Sequence, residues 1–488
     1  MGCTQVKTNV ITDRLLRSWI RCRRKAWLDL HEQSKLRIWT AHRALQLDHQ
    51  HKSFSALIDG KPARSKNAFK EGCAAINGIR LKYANSSGLI LESHPPLLQR
   101  INGRSKWGKY QYRPTIARQG RRITREHRLM LAFHGFILGK YQDSNVKQGL
   151  TVSHSTHGLE IDPINLNNQL YNKLQNSLSR LHKDLNLVIP PPITSDRKKC
   201  SLCSWRGLCN KVAISEGDLS EISGIGNKRR EMLQKIGIKS LDDLADSNPL
   251  ELTEELIKAG EKDKTIANQI IRQAKAQKHD YHEHINKDIC LPEIIDSNGI
   301  LIYDIESDPD EKHDFLHGFL RITKNKYGLL EINNAKYHPM LMLKNEGEIK
   351  SWERLKKKLD YYKDWPILHY GETESIAIYQ LAKRQGVSEE ELKNLKKRFI
   401  DIHSRLKNHW ILPLNNYGLK SVAIWLGFRW NQSGADGAKA LFWWRQWENA
   451  YSKQLKISSP LKKIFQYNRD DCIATWSVAN WLIKNELD

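Results

Sequence analysis

The chain has 488 residues, length enough for about three domains, and 40% of them are hydrophobic, enough to build cores. Lys and Arg number 79 against 54 Asp and Glu, and the net charge of +25 points first to nucleic acid and second to a membrane surface as partner. No apolar run approaches the roughly 20 residues of a membrane span, and eight cysteines are too sparse for a disulfide scaffold. The polar stretch Gly2 to Arg14 has no signal-peptide pattern, and the start Met-Gly-Cys-Thr-Gln-Val6 lacks the Ser or Thr of a myristoylation site. A cytoplasmic protein with no membrane partner is expected.

Residues 9–30 place Leu15, Leu16, Trp19, Ile20, Trp27 and Leu28 at helical spacing among Arg14, Arg17, Arg21, Arg23, Arg24 and Lys25. This reads as a basic amphipathic helix with a core stripe, in which Cys22 is the unusual member. Residues 40–85 are expected to add one or two helices without a site, His42, His49 and His51 being surface or core residues. Gly88 to Leu91 and Lys109 to Ile116 read as strands, and Thr124 to Leu138 as a helix. No acid falls between Arg100 and Arg125, where Trp107, Tyr110 and Tyr112 interleave with Arg and Lys. That pattern suits a nucleic-acid groove or a basic surface hairpin.

After the Pro190-Pro-Pro192 break, Cys200, Cys203 and Cys209 follow the spacing C-x-x-C-x5-C. Three close thiols and a distant fourth point to a metal or cluster site, zinc being the default for a four-cysteine set. Ile222-Ser-Gly-Ile-Gly-Asn-Lys-Arg-Arg230 comes next, ahead of the run Met232 to Ile238. Gly224 and Gly226 let backbone approach a phosphate, amides at the following helix start face it, and Lys228 and Arg229 add charge. A plain helical turn is the alternative. Leu241 to Asn248 and Leu250 to Gln277 complete a small helical module, and His279 to Lys287 reads as a linker.

The rest of the chain reads as strands at 299–305, 315–322 and 328–332, a helix at 348–360, a strand at 366–370, then helices. Asp304 and Glu306 alternate onto one face of the first strand, roughly 6–7 Å apart at their roots. Two acids on one face repel, and a divalent cation between them offsets that cost; hard oxygen ligands suit Mg²⁺ or Mn²⁺. Pro366 to Glu374 reads as a strand breaking at Gly371 into a helix that Glu374 opens. Asp401 is a rival third acid or a helix cap. Tyr467 and Asp471 stand at i and i+4 on one helix face. Of Trp425, Trp430, Trp443, Trp444 and Trp447, most are expected in the core, with one or two free to stack on a base.

These motifs carry three resemblances. Residues 292–488, with D-x-E at Asp304/Glu306 and Y-x-x-x-D at Tyr467/Asp471, resemble the DEDD exonucleases of the ribonuclease-H-like superfamily, and most closely the YprB-like domain. The resemblance implies 3′–5′ exonuclease activity with two Mg²⁺ or Mn²⁺ ions held by Asp304, Glu306, Glu374 and Asp471, and a water oriented by Tyr467. The middle motif departs from N-x-x-x-F-D, since His369 to Glu374 ends in glutamate. The hairpin glycines resemble a helix–hairpin–helix motif. Residues 1–215 resemble RecB-type nuclease domains of the PD-(D/E)XK superfamily that carry an iron–sulfur cluster. That implies a [4Fe–4S] cluster on Cys22, Cys200, Cys203 and Cys209, with Cys3, Cys73, Cys290 and Cys472 as ordinary thiols.

Where those relatives carry an aspartate and then an acid-x-Lys pair, this chain has His94 to Leu98 and Tyr112 to Arg118, without an acid, and Met130 where a helix often begins with Gln. A degenerate nuclease fold kept for binding and architecture is therefore expected. The whole reads as an α/β multidomain protein: a PD-(D/E)XK-like domain (1–215), a helical hairpin module (216–280) and a ribonuclease-H-like domain (290–488), the layout of RecB-like nucleases. The expected function is a metal-dependent nuclease acting on DNA in preference to RNA, with a helicase or repair partner. The competing expectation is a nucleic-acid-binding scaffold without turnover.

Overall fold

The computed structural model describes residues 8–120, 122–155, 158–194, 196–455 and 457–485 and divides into two compact units, Met1–Lys211 and Val212–Asp488. Cys3 lies outside the described residues. Among them, no helix is long and apolar enough to cross a membrane.

The first unit opens with β1 (Val10–Thr12) and α1 (Asp13–Arg21), capped by the Thr12 hydroxyl accepting from Leu15 N–H. The single helix expected over 9–30 is two, because Cys22 is extended (φ −163°, ψ 125°) and separates α1 from α2 (Arg23–His31). α3 (Ala41–Leu57) is the one α-helix of the next stretch; β2 (Ala75–Ile76) and β3 (Leu81–Ala84) follow it, not a second helix. β4 (Ile90–Ser93) lies between β1, parallel, and β3, antiparallel.

β5 (Leu97–Ser105), β6 (Gly108–Ala117), α4 (Arg125–Gln142), β7 (Gln148–Ser155), β8 (Gly158–Asn165) and α5 (Asn168–Leu185) build the main body. Its sheet has the order β2-β5-β6-β7-β8, antiparallel except where α4 crosses over between parallel β6 and β7. α4 buries Leu129, Met130, Phe133 and Ile137 in the core. The aromatics of the β5–β6 hairpin are core packing: Tyr112 is fully buried, Trp107 stacks on Phe69 at 4.8 Å, and the Tyr110 hydroxyl donates to the Phe69 carbonyl at 2.7 Å. α6 (Arg206–Ser215) follows α5 in the chain.

In the second unit, a single 3₁₀ turn at Leu219–Glu221 leads into α7 (Asn227–Lys235), α8 (Leu241–Ala245), α9 (Pro249–Lys258) and α10 (Ile266–His279). These helices close over their own core of Leu219, Ile225, Leu233, Leu244 and Ile270. β9 (Glu283–His284), β10 (Gly299–Asp308), β11 (His313–Thr323), β12 (Lys336–Leu341), α11 (Gly347–Tyr361), β13 (Ile367–His369), α12 (Thr373–Arg384), α13 (Glu389–Arg398) and β14 (Phe399–Asp401) come next. α14 (Ile402–His409), β15 (Trp410–Ile411), α15 (Leu419–Trp425), α16 (Gly437–Ser452) and α17 (Ser459–Asn485) complete the chain.

The sheet order is β12-β11-β10-β13-β14, with β11 antiparallel to its neighbours and β10, β13 and β14 parallel. The third strand is Lys336–Leu341, whereas the expected 328–332 forms a turn with one bridge, Lys324 to Leu330. Pro339 argues against a strand when read in sequence, but β12 is the sheet's edge, where a missing donor is tolerated. β10 is covered on both faces. Ile300 and Ile302 pack with Leu406, Trp476 and Ala479, and Leu301 and Tyr303 with Leu355, Ile378 and Leu392. A strand buried on both faces is a continuous apolar run, as Ile300 to Tyr303 is.

The helical module is fastened to this domain. Gln273 of α10 donates to the Leu412 carbonyl at 2.8 Å and accepts from the buried Tyr417 hydroxyl at 3.0 Å, and β9, inside the expected linker, pairs with β15.

Gly299 starts β10 where a Cβ would lie 2.5 Å from the Trp365 ring and 2.6 Å from the Ile322 carbonyl oxygen. Gly299→Ala should therefore overpack the strand and cost about 1–3 kcal/mol, read as a lower urea midpoint of the full chain. An unshifted midpoint would show that the sheet has room there.

Candidate functional site

Asp304 and Glu306 project from β10 towards α17, and Asp471 comes from α17, which packs across β10 and β11. One ligand oxygen from each of the three lies within 4.8 Å of the others, close enough to share a cation. Glu306 and Asp471 are buried and Asp304 is half-buried. Burial, and then the surrounding carboxylates, push Asp304 and Glu306 well above their ordinary pKa values. Asp471 rises to about 6 through burial, held back by the Trp430 indole and by Lys420.

The surroundings fix where these acids point. The Asn468 amide donates to Asp304 Oδ2 at 2.6 Å and accepts from the Tyr337 hydroxyl at 2.7 Å. Gly318 lies opposite Asp304 in the register, and a Cβ there would sit 1.6 Å from Asn468 Oδ1. The fully buried Asn468 thus reaches Asp304 only because residue 318 has no side chain. Trp430 Nε1 donates to Asp471 Oδ1 at 2.7 Å, and the Tyr467 hydroxyl hydrogen-bonds the same carboxylate. Lys420 of α15 lies 5.3 Å from the Tyr467 ring centre and lowers the pKa of both Glu306 and Asp471. Asp470, beside Asp471, accepts from Asn431 N–H at 2.9 Å and ties the loop before α16 to α17.

The two rival third acids differ in what they do. Glu374 is buried in the first turn of α12, and its Oε2 has no hydrogen-bond partner, lying 3.9 Å from His369 Nδ1. Burial lifts its pKa to about 7, with Asp401 and Asp471 among the further causes. Asp401 uses one oxygen on backbone. Its Oδ1 accepts from His403 N–H at 3.0 Å, capping α14, and from Gly371 N–H at 2.8 Å. Gly371 (φ +98°) makes the turn from β13 to α12 that only glycine adopts readily.

In the first unit, Cys22, Cys200, Cys203 and Cys209 all line one cavity of about 380 Å³. The break between α1 and α2 puts Cys22 there, opposite the loop before α6. Burial raises the Cys200 thiol to about 11 and lifts Cys203 and Cys209, and Cys22 raises all three further. Trp205, fully buried beneath the loop, donates to Asp29 at 2.9 Å. Among the described residues, no three of the sulfurs meet the 4.8 Å spacing that the acidic trio meets. Four thiolates bound at about 2.3 Å around one zinc ion would.

The acid-free stretches of this unit are occupied otherwise. Arg118 is buried, with Nη2 2.7 Å from both Glu160 and Asp162 on β8, and His94 Nδ1 lies 3.0 Å from Asp13. In the hairpin, Gly224 has φ +88°, Gly226 caps α7, and both are exposed with Lys228. Arg229 instead bonds the Gly224 carbonyl at 2.7 Å and Glu261 at 3.0 Å.

Residues 301–483 match the RNase_H_2 family model of the RNase_H superfamily, a span from β10 to α17 that contains Asp304, Glu306, Glu374, Tyr467 and Asp471. No curated protein matches the chain. The C-terminal domain is ribonuclease-H-like, and its superfamily points to a nuclease-type function on nucleic acid. Sequence reasoning missed Gly318, Tyr337, Lys420 and Asn468, and weighed Trp430 only as a core or base-stacking ring. Asn468 could have been suspected from its place inside the Tyr467–Asp471 motif, whereas the others come from separate elements that only folding brings together.

Acids whose pKa rises on folding favour the protonated fold, so their stability is lost as pH climbs from the unfolded value of about 4 through the folded values, about 6 for Asp471 and about 7 for Glu374. Without divalent cations, Glu306→Gln should be more stable than wild type at pH 8 by about 1 kcal/mol or more, and the gap should close by pH 5. Urea midpoints at both pH values measure this, and a variant less stable than wild type at pH 8 would contradict the geometry.

Proposed function

We propose that the chain is a metal-dependent nuclease whose C-terminal domain hydrolyses phosphodiester bonds from a 3′ end. The observation that carries this is the convergence of Asp304, Glu306 and Asp471 within 4.8 Å, beside Glu374 with an unpartnered buried oxygen. A pure binding scaffold gains nothing from four such carboxylates, which repel one another and would repel phosphate. Asp304, Glu306, Asp471 and Glu374 are the residues to hold divalent cations, Mg²⁺ or Mn²⁺. Bound there, such ions supply an activated water and neutralise charge at the phosphate.

The protein's own groups do the positioning. Asn468 fixes one oxygen of Asp304, leaving the other for the site. Trp430 and Tyr467 do the same for Asp471, so Tyr467 acts on the water through this carboxylate or beside it. Asp401 stays a structural cap. The exposed turn at Gly224 and Gly226, with Lys228 beside it, offers backbone amides to a phosphate without reading sequence. DNA as substrate and a helicase or repair partner rest on the RecB-like layout.

Asp304→Asn and Asp471→Asn should each abolish cleavage of labelled oligonucleotides, since each removes a charged ligand, and Glu374→Gln should behave alike while Asp401→Asn loses stability first. Tyr467→Phe should slow cleavage less. Wild-type rates in Asp304→Asn would sink the proposal.

For the cysteines we propose a [4Fe–4S] cluster on Cys22, Cys200, Cys203 and Cys209. All four line one cavity, and the resemblance to cluster-bearing RecB-type domains is what favours the cluster over zinc. Protein purified without oxygen should be brown and contain iron, and Cys203→Ser should lose colour and stability together. Stoichiometric zinc without iron would overturn the assignment.

A further inference from the structure

A second cavity of the first unit, about 690 Å³, opens between α1, α2 and the start of α3. Arg14, Arg17, Arg21, Lys25, Arg37 and Arg43 line it. Few acids face them, and those are already engaged. Asp13 bonds His94 through both its Nδ1 and its backbone N–H at 3.0 Å. Asp29 takes Lys25 at 2.7 Å, Ser18 at 2.6 Å, Trp205 at 2.9 Å and Arg37 at 3.3 Å. Glu126, from α4, serves Arg21 at 2.7 Å and Arg17 at 3.7 Å. Arg14 and Arg43, both exposed, have no carboxylate within ion-pair distance among the described residues. Partial burial, and then the guanidiniums of Arg17, Arg21 and Arg14, lower the pKa of Arg43. Cations brought together at mutual cost are stabilised by an anion, as the acidic cluster is by a cation.

The anion is identified by its surroundings. Planar guanidiniums are suited to bidentate contact with phosphate oxygens. Trp39, 58% exposed, stands on the wall of the same cavity with Ile38 and Leu47. An exposed indole beside a phosphate-binding group suits an unpaired base, whose face a duplex would hide. The segment carrying Trp39 is held in place, since Ile38 N–H donates to the Ser204 carbonyl at 2.8 Å and Arg37 lies 5.1 Å above the Trp205 ring.

We propose that this cavity binds a backbone phosphate of single-stranded nucleic acid, through Arg14, Arg17, Arg21 and Arg43, with a neighbouring base stacked on Trp39. This deepens the nucleic-acid reading of the chain and rests on it. The site uses none of the carboxylates of the C-terminal domain, so it is tested apart from them.

The test uses the full chain, without divalent cations, and fluorescence anisotropy of a labelled single-stranded oligonucleotide. Arg14→Gln with Arg43→Gln removes two exposed cations that hold no element of the fold. Binding should weaken about tenfold at physiological salt, and the salt slope should become shallower by about 0.7, the value for one lost single-strand phosphate contact. A control of equal charge change on the exposed face of α5, Lys173→Gln with Arg180→Gln, should leave both within about twofold. Trp39→Ala should weaken single-strand binding at least about fivefold and spare a duplex of the same sequence. The proposal is overturned if the cavity variant binds the oligonucleotide as the control does, even where inorganic phosphate stabilises wild type and not the cavity variant against urea, which would make this a small-anion site only. If wild type itself does not bind, the nucleic-acid reading fails as well, so the two failures are told apart.

Discussion

The C-terminal domain depends on a repulsion that its fold refuses to relieve. Asp304, Glu306 and Asp471 would separate or reach water if they were free, and instead they converge within 4.8 Å on the buried side of the central strand. Asp471 raises the pKa of both strand acids and Glu306 that of Asp304, on top of the larger cost of burial. Such an arrangement persists only where the rest of the structure holds it. Its natural relief is a hard cation, which converts mutual repulsion into shared attraction.

What holds it is spread across elements. β10 supplies two acids through strand alternation, and α17 supplies the third one turn beyond Tyr467. Gly318 leaves the gap that Asn468 fills, so the contact between α17 and β10 is a hydrogen bond to Asp304 and not a mere packing surface. Beyond the cluster, Arg445 of α16 grips Asp308 through two bonds of 2.8 Å, a buried pair that lowers the Asp308 pKa and anchors the far end of β10. Two acids four residues apart on one strand, Asp304 and Asp308, thus titrate in opposite directions because only one has been given a cation.

The D-x-E and Y-x-x-x-D motifs were legible in the sequence because their spacing is local: period two on a strand and one turn on a helix. Glu374 and Asp401 were harder to separate, since each lies near the end of a short strand. Only their partners distinguish an acid that caps α14 from one whose oxygen is orphaned. The strand at Lys336–Leu341 was hidden by Pro339, which an edge position tolerates. Cys22 looked like a residue inside one helix, whereas its extended backbone breaks that helix and turns the thiol towards the other three. The hairpin between β5 and β6 misled in the other direction. Trp107, Tyr110 and Tyr112 interleave with cations in sequence, yet they pack around Phe69, and the cations facing a cavity gather on α1 and α3 instead.

The central claim, that the ribonuclease-H-like domain gathers its carboxylates to hold catalytic divalent cations, is tested most directly by where a metal settles. Crystals of the full chain soaked in Mn²⁺ and measured at the manganese absorption edge should show anomalous density among Asp304, Glu306 and Asp471, with Glu374 turned towards it. Density elsewhere only, with Asp304, Glu306 and Asp471 still converged and bare, would contradict the account.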